Sequence, residues 1–125
     1  MQSYRDLKVW QHAMDLAVRI YGVTDGFPAQ ERYGLVQQMR KAAVSVPSNI
    51  AEGHGRRTSR QRYHFLENAL GSLFETQTEL STRLRFLSEG DAVELATTIR
   101  NIGRGLTALM RYVEGEARDQ KTRYD

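Results

Sequence analysis

Arg56, Arg57, Arg60 and Arg62 fall within seven positions, and no acid occurs between Gly53 and Arg62. Guanidinium groups match phosphate oxygens in a planar, two-pronged fashion. Gly53 and Gly55 let a backbone approach a ligand closely. A helix starting after Thr58 would present free N–H groups to an anion. These features read as a contact site for RNA, DNA or another polyanion. The competing reading is a solvated loop whose arginines pair with Glu residues of a neighbouring helix or subunit.

Histidine chemistry is the second candidate. His12, His54 and His64 are the three histidines. A carboxylate-bridged metal bundle needs Glu-x-x-His on two helices. This chain has only the reverse order, at His12 to Asp15 and His64 to Glu67, so no metal site is expected. All-α ribonucleases of toxin–antitoxin systems carry an Arg followed a few residues later by a His. Arg57 with His64 fits that pattern, and so does Arg5 with His12. Two matches in an Arg-rich chain discriminate poorly. No Ser-His-Asp arrangement, phosphate-binding Gly loop or pair of catalytic carboxylates is present. The chain reads as a non-catalytic protein without cofactors, with a ribonuclease as the enzymatic alternative. Glu79 and Arg83 are spaced as an i,i+4 ion pair, and Glu75 stands on the same charged run.

The elements that would hold these residues follow from hydrophobic spacing. The chain has 125 residues, 40% of them hydrophobic and 26% charged, which suits one folded domain. The absence of Cys removes disulfides and thiolate chemistry and makes the cytoplasm the default compartment. Charge appears at once in the first residues and no apolar core follows, so no signal peptide is expected. No run approaches the length of a membrane span. A net charge of +3 permits a nucleic-acid partner without requiring one.

Four helical segments are expected. Trp10, Ala13, Ala17, Ile20 and Tyr21 mark one face of a helix over about Asp6 to Val23, broadened by Leu7, Met14 and Val18. Leu35, Met39, Ala42, Ala43, Val46 and Ile50 line a second, from about Glu31 to Glu52. Pro47 lies inside it and predicts a kink or break. Asn49 could bond carbonyls freed nearby. Gly53-His54-Gly55 reads as its end. Thr58 and Gln61 form a capping-box pattern. The seam Tyr63, Leu66, Leu70, Leu73, Gln77, Leu80, Leu84 and Leu87 then predicts a third helix of about 29 residues. Phe65, Ala69 and Phe74 add apolar surface beside it. Gly90 ends that segment, and Asp91 with Glu94 starts a fourth. Leu95, Ile99, Ile102, Leu106, Leu109 and Val113 line the fourth. The expected architecture is an all-α, antiparallel up-and-down four-helix bundle over residues 1–114, with a polar, frayed tail over 115–125.

Several strings carry a family resemblance. They are Tyr4-Arg5-Asp6-Leu7-Lys8-Val9-Trp10, Phe27-Pro28 with Glu31-Arg32-Tyr33-Gly34-Leu35, and Ala69-Leu70-Gly71-Ser72-Leu73. The most specific runs from Ala42 to Gly53 and contains Pro47, Asn49, Glu52 and Gly53. Together they resemble the four-helix bundle proteins encoded in intervening sequences of bacterial 23S rRNA genes. That family is similar to the accessory variability determinant of diversity-generating retroelements. The resemblance covers the chain to about Leu87. It implies an antiparallel bundle assembling as a ring-shaped homopentamer. From the retroelement relative it implies a basic surface engaging nucleic acid and, by analogy only, a reverse transcriptase. Trp10, Pro47, Asn49, Glu52 and Gly53 are the motif residues it singles out. Glu52 at a helix end opposes the helix dipole, which points to a partner such as a nearby Arg or a second subunit. The rival function is a structural or protein-interaction scaffold whose arginines serve subunit contacts.

Overall fold

The chain enters through a short 3-10 turn, Tyr4–Asp6, that the Ser3 hydroxyl caps by accepting the Arg5 N–H at 3.1 Å. The computed structural model describes residues 3–124. Helix α1 follows over Lys8–Thr24 and buries Val9, Ala13, Leu16, Ala17 and Ile20. The expected face was rotated. Tyr21, Met14 and Val18 are exposed, while Val9 and Leu16 point inward. Trp10 lies at the edge of the core, with the Tyr4 ring edge-on to it at 5.2 Å.

A 3-10 turn at Ala29–Glu31 and a π-helical turn at Arg32–Val36 lead into α2, Gln37–His54. Of the kink or break expected at Pro47, the break does not occur, and helix α2 runs through the proline. A proline inside a helix removes one hydrogen bond and costs about 3 kcal/mol. Here Pro47 is itself buried, as are Val46 and Ile50 of the same helix. Two side chains reinforce the carbonyls around it. Asn49 Nδ2 donates to the Ser45 carbonyl at 2.8 Å, and Ser48 Oγ to that of Val44 at 2.9 Å. Asn49 therefore reaches a carbonyl near the proline, though not the Ala43 carbonyl that Pro47 leaves without a donor.

Helix α3 spans Ser59–Ser81, 23 residues and shorter than the heptad seam implied. At Thr82 the N–H turns back to the Thr78 and Glu79 carbonyls. The chain then forms a separate turn, Leu84–Phe86, which sets Phe86 5.3 Å from the Phe27 ring at the end of the bundle. Leu84 is consequently exposed, and Gln77 faces solvent. The buried ridge is Leu66, Ala69, Leu73, Thr76 and Leu80. Thr76 is enclosed because its hydroxyl donates to the Ser72 carbonyl at 2.9 Å.

Helix α4 runs from Glu89 to Tyr124, about 54 Å at 1.5 Å per residue. Its cap is Ser88, whose Oγ accepts the Asp91 N–H at 3.0 Å, so Gly90 and Asp91 belong to the first turn. Leu95, Ile99, Ile102, Leu106 and Val113 are buried as their spacing predicts. Gly115 does not end the helix, which continues to Tyr124; Asp125, the last residue of the tail expected to fray, lies outside the described residues.

Cross-contacts fix the direction of every neighbour. Gly53 meets Phe65 while Ser45 Oγ meets Ser72 Oγ at 2.8 Å, so α2 and α3 are antiparallel. Leu73 touches Gly103 and Arg62 reaches Glu116, which reverses α3 against α4. Val9 lies against Gly105 and Arg19 pairs with Glu94 at 2.9 Å, reversing α1 against α4. Arg40 near the start of α2 bonds Thr24 Oγ1 and Asp25 beyond the end of α1. The result is the antiparallel four-helix bundle. Among the described residues there is no strand.

Candidate nucleic-acid interface

The arginine segment is the corner between α2 and α3. The Gly55 N–H donates to the Glu52 carbonyl at 3.2 Å and the Arg56 N–H to that of Gly53 at 3.1 Å, which closes α2. Thr58 is extended, and its hydroxyl accepts the Gln61 N–H at 3.1 Å, the N-cap that the sequence predicts. The first turn of α3 contains no acid. Its positive end therefore carries no local counter-charge.

The four arginines divide into two pairs. Arg56 lies over the Phe65 ring, 4.6 Å from its centroid, with Glu52 at 3.8 Å. Arg62 turns back, its Nε donating to the Arg56 carbonyl at 2.9 Å, while its other end lies 4.0 Å from Glu116 of α4. These two brace the corner. Arg57 and Arg60 are exposed and, among the described residues, form no ion pair. Glu52 thus meets Arg56, which offsets its unfavourable place at a helix end.

Beside the corner is an open cavity of about 580 Å³, floored by Ile50, Leu66 and Leu109 and edged by His54, Arg62 and Glu116. His12 and His64 are exposed. The nearest polar partner of His64 is Asn68, at 3.5 Å. Among the described residues no hydrogen bond joins Arg57 to His64. No group of three or more His, Asp or Glu side chains is placed to hold a metal ion among them. Among the described residues no helix is long and apolar enough to cross a membrane. Burial first, then the charge of Glu114, pushes the Tyr63 phenol above its ordinary range.

The expected Glu79–Arg83 pair is not formed. Arg83 Nε lies 3.3 Å from Glu31 instead. Both side chains of that contact are mostly shielded, which makes it the better partner for a guanidinium. Burial pushes the Glu79 carboxyl up to about 7, and the charge of Glu75 adds to the rise.

One basic feature was not singled out in the sequence reading. Arg100, Arg104 and Arg111 lie along the groove between α3 and α4, beside Phe74. The signal was there to find, since α4 carries no acid between Leu95 and Val113.

The chain matches the family model of the 23S rRNA-intervening sequence proteins over residues 5–108. It belongs to that family. The match spans the arginine segment and all five motif residues, and it extends into α4, beyond the reach of the resemblance read from motifs. No curated protein matches the chain.

The structure gives the motif of this family member a physical content. Pro47 and Gly53 are buried in α2, Asn49 secures the turn around the proline, and Glu52 steadies Arg56. Gly53 has the clearest role. A Cβ there would stand 2.9 Å from Phe65 Cβ and 3.4 Å from the Arg62 carbonyl, so the helices could not approach as they do. The motif shapes the α2–α3 corner on which the arginines sit.

Proposed function

We propose that this 23S rRNA-intervening sequence protein is a non-catalytic, oligomeric, cytoplasmic bundle that binds nucleic acid through the α2–α3 corner. The observation that carries this reading is the pair Arg57 and Arg60. Both are exposed and, among the described residues, form no ion pair; Arg57 precedes the acid-free first turn of a 23-residue helix and Arg60 lies in it. Phosphate contacts from such groups supply sequence-independent affinity. Assembly into the ring-shaped pentamer implied by the family resemblance would repeat the corner and multiply weak contacts by avidity. A reverse transcriptase enters only by analogy with the retroelement relative.

A scaffold reading is favoured by a different observation. Arg56 and Arg62 are already engaged within the chain, and Phe74 offers apolar surface to a second copy. The double variant Arg57→Ala/Arg60→Ala separates the two. Its thermal stability should match the parent, since exposed charges contribute little to folding. In a salt series on labelled duplex, the slope of log affinity against log salt should fall by about 0.9 per lost contact, about 1.8 in all. Light scattering on the parent should give a mass several times 14.3 kDa. If the variant binds like the parent yet dissociates to monomers, the arginines serve the subunit interface. Degradation of labelled RNA would establish the ribonuclease alternative.

A further inference from the structure

The groove between α3 and α4 combines an exposed aromatic ring with a row of exposed cations. It has a volume of about 610 Å³ and is lined by Leu70, Phe74 and Gln77 from α3 and Arg100, Arg104 and Arg111 from α4. Phe74 is 54% exposed. A ring left that exposed gains only part of the free energy that full burial would give it. Among the described residues, six arginines are held in ion pairs, namely Arg19, Arg40, Arg56, Arg62, Arg83 and Arg118. Arg100, Arg104 and Arg111 are exposed and, among the described residues, form none. Steps of four and seven residues keep them on one side of α4 over about 16 Å. Glu67 and Glu114 sit with Arg60 at the neighbouring depression, so acids separate the groove from the α2–α3 corner.

We propose that the α3–α4 groove is a separate site for single-stranded nucleic acid, with a base stacked on Phe74 and Arg100, Arg104 and Arg111 against the backbone phosphates. The exposed ring selects the single strand. Paired bases in a duplex have no free face to lay on an aromatic side chain, whereas an unpaired base does. Three guanidinium groups without an acid among them select a polyanion. The Gln77 amide in the same groove presents both a donor and an acceptor to a base edge. The inference rests on the reading that this protein binds nucleic acid, and not on the arginines of the corner.

The full chain would be titrated against a labelled single strand of about 16 nucleotides and the matching duplex, at several salt concentrations, with light scattering on each variant. Phe74→Ala should weaken single-strand binding about 5- to 140-fold, leave the duplex unaffected and keep the parent mass. Arg104→Gln/Arg111→Gln should lower the single-strand salt slope by about 1.4. Undiminished single-strand binding by Phe74→Ala overturns the proposal. So does a lower mass for that variant, which would make the ring a contact with a second copy. A parent that binds neither probe removes this site and the corner together. Loss of duplex binding in Arg57→Ala/Arg60→Ala, with Phe74→Ala still holding the single strand, removes this site alone.

Discussion

Replacing Gly53 with Ala should destabilise the bundle, although alanine is the better helix former. Gly53 lies in the last turn of α2, where the exchange would ordinarily gain about 0.4–1 kcal/mol. The new Cβ would start 2.9 Å from Phe65 Cβ. Ordinary contact begins near 3.4 Å, and the carbonyl of Arg62 already stands at that distance on the other side. Phe65 Cβ is tied to the α3 backbone and cannot rotate away. Helices α2 and α3 must therefore part by about half an ångström, and overpacking of this kind costs about 1–3 kcal/mol. The net expectation is a loss of about 1–2 kcal/mol. Gly71 provides the opposite case. It is exposed inside α3 with nothing within 4 Å of a built Cβ, so Gly71→Ala should gain about 0.5–1 kcal/mol. Urea unfolding at one fixed protein concentration would measure both, because assembly makes stability depend on concentration. Parting the helices also shifts Phe65 under the Arg56 guanidinium, so Gly53→Ala should disturb the corner. A Gly53→Ala protein as stable as the parent would refute the close-approach argument. Equal effects at Gly53 and Gly71 would show that only backbone propensity matters.

Leu73→Ala should cost about 2–5 kcal/mol, since Leu73 is fully enclosed. Leu70→Ala should cost about half as much or less because Leu70 only borders the core, and urea unfolding giving equal losses would mean that α3 is rotated. Glu79 adds a pH dependence. Its folded-state carboxyl titrates near 7 against 4.5 for a free one, so its contribution to stability is fully present below about pH 4.5 and is lost as pH rises through about 7. The full shift would correspond to about 3 kcal/mol, and partial solvation reduces this to about 1 kcal/mol. Glu79→Gln should therefore stabilise the protein at pH 8 relative to pH 5 when compared with the parent, and a parallel pair of stability–pH curves would contradict the assignment.

Periodicity in the sequence was enough for the number of helices, their order and most of the core. Met39, Val46, Ile50, Leu66, Leu73, Ile99 and Leu106 are all buried where their spacing put them. Thr58 caps α3 as its residue type predicts. These features are local, and a 3.6-residue repeat records them directly. Other features depended on neighbours distant in the chain. Phe86 packs on Phe27 and Arg83 turns to Glu31, so α3 stops at Ser81 although the leucine pattern continues to Leu87. Helix α2 stays continuous through the buried Pro47 against the local preference. The face of α1 turned by enough to bury Leu16 and expose Val18, because both α2 and α4 press on it. At the arginine corner the sequence supplied four cations in a row. Only the fold divided them, since the Phe65 ring and Glu116 come from other turns and another helix to occupy Arg56 and Arg62, leaving Arg57 and Arg60 to solvent. A linear pattern records which charges are close in the chain. Which of them find a partner is decided by the packing of helices that the pattern does not encode.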